Sequence, residues 1–443
     1  MRNATNVWKT RSLAAAIFLA CSVGIAAQPA IDTTVDAAAK SLQPKVLAWR
    51  RDIHEHPELG NRETRTAAKV AAHLKALGLE DIRTGVAHTG VTAVLRGGKP
   101  GKRIALRADM DALPVTETGD VPFASRATAQ FRGESVGVMH ACGHDSHTAI
   151  LMGVAEALAA QRADLPGEVL FVFQPAEEGP PEGEEGGAAL MLKQGVFRDF
   201  KPDAVFGLHV MSTLNAGKIG YRSGPMMAAS DRFEFAVIGR QTHGSRPWGG
   251  VDPIVAAAEI IGSAQHIVSR RTDISRLPAV VTFGAIKGGI RYNIIPDRVE
   301  LVGTIRTFDE KVRKAIHADL LSVANHVAAA HGATIEGKIP ADEGSPVTAN
   351  DPALTARMLP SLKRAAGAEN VLEIPLTMGA EDFSLYALEV PGLFFFVGAT
   401  PAGQDAERAP SNHSPAFFLD ESALDLGLRA LLTVSLDYLH ASE

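Results

Sequence analysis

Cysteine is almost missing from this chain: 443 residues hold only Cys21 and Cys142. A disulfide framework is therefore excluded, and a lone Cys142 in an oxidising compartment has to be buried or bound. Metal coordination is one way to protect such a thiol, and plain burial is the other. Basic runs are missing too, and the formal charge is −6. That balance offers no footprint for nucleic acid or an anionic membrane surface. There is no internal repeat and no low-complexity tract, and with 46% hydrophobic residues the chain can bury a large core.

The first 27 residues read as a processing signal. Arg2, Lys9 and Arg11 form a basic opening, Leu13 to Ala27 is apolar with small residues, and Ala26, Ala27 and Ala30 offer cleavage points. The apolar stretch is too short for a comfortable membrane span. Export to the periplasm or the medium is the expectation. Phe18, Leu19 and Ala20 before Cys21 resemble a lipoprotein box with its Leu displaced by one position, so lipidation at Cys21 is the minor alternative. Removal of the signal takes the charge to −9.

About 400 residues remain, more than one domain of about 100–200 residues holds. Arg103 to Ala108, Glu168 to Phe173, Ala204 to Leu208 and Gly392 to Val397 are short, nearly continuous apolar runs, the pattern of parallel strands buried on both faces. Helical stretches alternate with them: Glu63 to Leu77, and Ser146 to Ala160 with Asp145 as its N-cap. From about Ser223 the texture changes to alternating strands (RFEFAVIG, AVVTFGAI, RVELVGTIRT), a helix after Asp252-Pro253 and a long helix over Glu310 to Ala330. The expected fold is α/β: a mostly parallel sheet with helices on both faces over 38–222 and 341–443. Inserted at 223–340 is an α+β lid of antiparallel sheet and two helices.

Ligands bind beyond the carboxyl ends of parallel strands. Asp109 and Asp111 follow the first apolar run, Glu177 and Glu178 the second, and His209 the third. Cys142 and His144 flank Gly143 at a helix start, and His413 sits in SNHSP. A thiolate, imidazoles and carboxylates at one sheet edge are the makings of a metal centre. Taken singly, each has a plain reading: His209 as an interior side chain, the two glutamates as a solvated face, the aspartates as helix caps. Their convergence is what points to metal-assisted hydrolysis, with a free carboxylate beside the metal as general base.

The ordered motifs RRDIHEHPELG at 50–60, ALRADMDALP at 105–114, MHACGHDSHTA at 139–149, FQPAEEG at 173–179, MGAEDFS at 378–384 and NHSPAF at 412–417 resemble the M20 metallopeptidase family. The resemblance is to its subgroup of hippurate hydrolases, N-acyl-amino-acid amidohydrolases and auxin-conjugate hydrolases. It runs from about Pro44 to His440. It implies that Cys142, His144, Glu178, His209 and His413 hold two divalent metal ions, zinc or manganese, cobalt or nickel, with one ligand bridging. Glu177 would be the catalytic base, taking a proton from the attacking water and handing it to the leaving amine, with Asp111 orienting an imidazole ligand. Asp109 ranks lower, and His54 and His56 are structural or line the pocket.

By the same resemblance, His243 in HGSRP would donate to the oxyanion, in its own site or a partner subunit's. Asn293 and Arg306 would hold the substrate carboxylate, and a homodimer would form through the lid. The subgroup's second histidine after the proline of HGxxPH is here Trp248, which favours aromatic or bulky acyl groups or else changes only the packing. The implied activity is hydrolysis of N-acyl amino acids, hippurate-like or related conjugates. A metallo-carboxypeptidase or dipeptidase acting on short peptides is the alternative. Two other classes compete: a thiol hydrolase with Cys142 as nucleophile and His144 or His147 as base, and a noncatalytic ligand-binding protein.

Overall fold

The computed structural model describes residues 28–441 apart from Glu343. The signal segment and Cys21 lie outside the described residues. The helix that opens them, Gln28–Glu55, starts upstream of residue 38, because Val35, Ala39, Leu42 and Val46 recur every three or four residues and are buried in the core.

Eight strands form the large sheet. In spatial order they are Glu80–Val86, Gly90–Arg96, Pro166–Gln174, Lys99–Asp109, Ala204–Asn215, Gly392–Thr400, Ile219–Tyr221 and Val371–Glu373. The four central strands are the four apolar runs, and they pair in parallel. Neighbouring side chains of each strand go to opposite faces. Phe171 and Phe173 belong to a core covered by the helices Gln28–Glu55, His144–Ala159 and Ser422–His440; Leu170 and Val172 belong to a second core with Phe383 and Tyr386. Two faces to bury explain why the middle of each strand is so largely apolar, as in VLFVF at 169–173 and LFFFV at 393–397. The antiparallel flanks, Glu80–Val86 and Gly90–Arg96, were not read from the sequence, because only the central strands have an uninterrupted apolar signature.

The insert has its own core. Its sheet runs Ala279–Gly288, Arg298–Thr307, Ala229–Ile238, Thr334–Lys338, all antiparallel. Phe233, Phe235 and Val237 turn inward against the helices Pro253–His266 and Glu310–Ala330. Both helices start where the sequence suggests, each capped by an aspartate: Asp252 accepts from Ile254 N at 2.9 Å and Asp309 from Lys311 N at 2.8 Å.

One expectation fails. Asp145 does not cap the helix that follows it. The helix begins at His144, its N-cap is Gly143 at φ +93°, and no side chain caps it. As a first-turn residue Asp145 accepts from Ser146 N at Oδ1, 2.8 Å, while its Oδ2 meets Arg50 Nε at 2.9 Å and His54 Nδ1 at 2.8 Å, which gives the buried charge a cation.

Phe395, wholly buried in the Gly392–Thr400 strand, tests the core. Phe395→Ala is expected to cost about 3–5 kcal/mol, read as a lower midpoint in urea unfolding; an unchanged midpoint would show the sheet core is not what holds this part of the molecule.

Candidate metal centre

The carboxyl ends of the central strands deliver their residues to one place. Lys99–Asp109 ends at Asp109 with Asp111 just beyond, and Pro166–Gln174 leads through Pro175 into Ala176, Glu177 and Glu178. His209 stands within Ala204–Asn215. Cys142 and His144 flank the Gly143 turn, where φ +93° suits glycine and a Cβ would lie 2.2 Å from Val210 Cγ2.

His413 comes from the far end of the chain and is pinned by its neighbour. Asn412 donates to the carbonyls of Cys142 at 3.2 Å and Val210 at 3.1 Å and accepts from Ser212 N at 3.0 Å. His413 itself donates its N–H to Ala141 O at 2.8 Å with φ +72°, an uncommon backbone conformation for a non-glycine residue.

Three groups of donors result, the donor atoms in each lying within 4.8 Å of one another: Cys142, His144 and His209; Cys142, Glu178 and His413; His144, Glu177 and Glu178. Cys142 belongs to two of them, its Sγ 3.3 Å from both His209 Nε2 and His413 Nε2. The imidazoles are oriented from behind. His144 Nδ1 is 2.9 Å from the Asp111 carbonyl and 3.2 Å from its Oδ1, and His209 Nδ1 is 2.6 Å from Val210 O. Each Nδ1 carries the proton, so each Nε2 lone pair faces the cluster. His144 Nε2 is buried and makes no hydrogen bond among the described residues, an orphan that a metal ion would satisfy.

Two buried carboxylates hold the turn that carries the glutamates. Glu63 accepts from Ala176 N at 2.9 Å, and Asp111 accepts from Glu177 N and Glu178 N, both at 3.0 Å. Three successive amides are thereby fixed, with Ala176 at φ +52°. Behind the site Arg107, fully buried, meets Asp109 at 2.7 Å, Asp382 at 2.8 Å, Glu381 at 2.9 Å and Gln174 at 2.9 Å. Burial pushes the Glu177 pKa well up, and Glu381 and Glu178 push it further.

The structure gathers Cys142, His144, Glu177, Glu178, His209, His413 and Asp111. It does not join His243, Asn293 or Arg306 to them: among the described residues no hydrogen bond or ion pair links these lid residues to the cluster. His243 is exposed, and its Nδ1 accepts from Ser245 N at 3.0 Å, which leaves an Nε2–H to donate. Asn293 sits beside it, its carbonyl accepting from Gly244 N at 2.8 Å. Arg306 is half-buried on Arg298–Thr307. His54, held between Asp145 and Glu117, is structural, and exposed His56 bonds only its own helix, at Asp52 O. Trp248 is 77% exposed on the Pro247–Gly249 turn.

The residues missed were Glu63, Arg107, Gln174, Glu381, Asp382 and Asn412. Arg107 left a trace, a charge inside an otherwise apolar strand; the others left none outside the quoted motifs. Of the two bases weighed for a thiol nucleophile, His144 and His147, the second drops out. His147 donates from Nδ1 to Asp109 at 2.6 Å and accepts Val210 N at Nε2 at 2.9 Å, so it has no lone pair for Cys142. Burial also raises the Cys142 pKa, with Glu178 adding to it.

A parallel sheet whose carboxyl edge carries S, N and O donors beside a half-buried glutamate, with an antiparallel lid, defines a metal-dependent hydrolase of amide bonds. The family model described as Peptidase family M20/M25/M40 matches residues 105–437. The chain belongs to this family. It is 39% identical over 392 residues to thermostable carboxypeptidase 2 of Saccharolobus solfataricus, spanning 88% of this chain and 94% of the relative. It is 41% identical over 309 residues to the N-acyl-L-amino acid amidohydrolase of Geobacillus stearothermophilus, 68% of this chain and 79% of the relative. A solved Bacillus subtilis structure, described as a dinuclear metal binding peptidase from the M20 family, superposes with TM-score 0.73 at 35% identity, covering 91% of this chain and all of that one.

Loss of an orienting partner weakens metal binding about 10–100-fold, the effect expected of Asp111→Ala in a metal titration with circular dichroism unchanged. Undiminished affinity would show that His144 needs no such support.

Proposed function

We propose that this protein is an exported amidohydrolase that releases amino acids from N-acyl conjugates of the hippurate type. The observation that carries the reading is the position of Glu177. Its Oε2 lies 3.8 Å from His144 Nε2, so a half-buried carboxylate that is not needed as a ligand faces the same space as the donors. Cys142, His144, Glu178, His209 and His413 would hold two divalent ions. Thiolate and imidazole suit zinc, and manganese, cobalt or nickel serve where they are more available.

The metal, when bound, supplies Lewis-acid polarisation of the acyl carbonyl and acidifies a water. Glu177 takes the proton of the attacking water at a carboxylate oxygen and returns it to the leaving nitrogen. Asp111 keeps the Glu177 and Glu178 amides and the His144 ring in place. The Nε2–H of His243 would meet the developing oxyanion when the lid closes, in this subunit or a partner's. The guanidinium of Arg306 and the amide of Asn293 would hold the substrate carboxylate, and Trp248 would offer an apolar wall to the acyl group. The similarity to a carboxypeptidase supports a second reading, short peptides as substrates, which differs only in the acyl side.

Glu177→Ala is expected to lower kcat about 10²–10⁴-fold on a panel of N-acyl amino acids and dipeptides, with bound metal retained, and a chelator should abolish wild-type turnover. Activity that survives both treatments would sink the proposal; preference for dipeptides would favour the peptidase reading.

The basic and apolar leader supports export, and cell fractionation that leaves the full-length chain in the cytoplasm would refute it. A homodimer through the lid is supported by apolar residues left in water at its sheet edge and adjoining loop, Val280, Ile286, Ile290 and Tyr292. Sedimentation should report a dimer that Ile286→Asp dissociates. A monomeric wild type would end that idea.

A further inference from the structure

Among the carboxyls behind the site, Glu381 has no part in the reaction as described so far, and its surroundings ask for one. It is 1% exposed. Its Oε1 is used twice, by Arg107 Nη2 at 2.9 Å and by Phe383 N at 2.9 Å. Its Oε2 is buried and has no hydrogen-bond partner among the described residues. A carboxyl oxygen of Glu381 lies within 4.8 Å of one of Glu177.

The neighbours cannot serve in its place. Asp382 already accepts from Arg107, from Gln174 Nε2 at 2.7 and 2.8 Å, and from Ala188 N at 2.8 Å. Asp109 is taken up by Arg107 and His147. Asp109, Asp382 and Glu381 already share a single guanidinium, Arg107, and a buried Glu381 oxygen with no partner is best kept neutral by a proton. Burial pushes the Glu381 pKa up to about 8, with Asp109 and Asp382 contributing. With Oε1 accepting twice, the proton of a neutral Glu381 belongs on Oε2.

The backbone of Glu381 is held on both sides by the segments that lead into and out of the lid. Thr348 Oγ1 donates to Glu381 O at 2.9 Å, and Ala228 N donates to Thr377 O at 3.0 Å and Gly379 O at 2.9 Å. The side chain is therefore presented from a fixed platform, as a positioning group has to be.

We propose that Glu381 is a positioning residue for the base: its Oε2–H is directed at the Glu177 carboxylate and holds it in one rotamer, leaving the other Glu177 oxygen for the attacking water. The inference rests on the reading of Glu177 as base. Glutamine reproduces what is claimed for Glu381, an oxygen for Arg107 and Phe383 N and an N–H for Glu177. An apolar side chain reproduces neither.

The test compares Glu381→Gln, Glu381→Ala and Glu177→Ala as metal-loaded proteins, measuring kcat, KM and bound metal, with Glu381→Met in place of the alanine variant should that one not fold. The expected pattern is a Gln variant within about threefold of wild type and an apolar variant about 100-fold lower in kcat, the cost of a misplaced reacting group, with KM and metal content unchanged. A Gln variant as slow as the apolar one, an apolar variant as fast as wild type, or a kcat loss that tracks metal loss overturns the proposal. With Glu177→Ala inactive, such a result counts against Glu381 alone; a Glu177→Ala variant that still turns over removes the base reading, and this proposal with it.

Discussion

The site depends on one buried cation. Arg107 is buried, so the fold has to surround it with acceptors, and the carboxyl groups of Asp109, Glu381 and Asp382 and the side-chain carbonyl of Gln174 do so from two strands and a distant loop. Breaking such a buried group leaves an uncompensated charge worth about 3–5 kcal/mol. The network does not stop there. Asp109 continues to His147, and His147 accepts the amide of Val210 beside His209. A single guanidinium thus sets the mutual positions of the strand ends that carry the donors.

Around that hub the chain spends unusual backbone where chemistry is presented. Ala176 and His413 both lie at positive φ, at +52° and +72°, and each precedes or carries a residue of the cluster. Such conformations cost of order 1–3 kcal/mol and persist where surrounding contacts over-determine them. Here the contacts are Glu63 and Asp111 on the three amides of the glutamate turn, and Ala141, with Asn412 alongside, on the loop of His413. The lid is built differently. Its core is separate, and its polar candidates lie together, His243 exposed and Asn293 half-buried beside it, an arrangement suited to groups that meet a substrate only on closure.

Much of this was legible. The central strands announce themselves because a parallel strand buried on both faces admits few polar residues, and the helix Glu310–Ala330 is bounded by a capping aspartate and a glycine-containing end. The six donor and base residues could be named because each follows an apolar run or lies in an ordered motif. Asp145 misled, since a residue at a helix start reads as a cap whether its carboxylate faces the helix or a buried arginine. Glu63 carried no local signal, and Glu381 only its place in the MGAEDFS motif: what makes them matter is an amide or a carboxylate far away in the chain.

By itself the sequence determined the local matters: which apolar runs become the central strands, and which side chains are available as sulfur, nitrogen and oxygen donors, because these follow from hydrophobic period and residue chemistry within a few positions. Only the tertiary structure decided which imidazole nitrogens are free, which carboxylates are committed to Arg107, and that residue 413 stands beside residue 142. Those outcomes depend on strand order and burial, and no local pattern encodes the distance between two residues that only the folded sheet brings together.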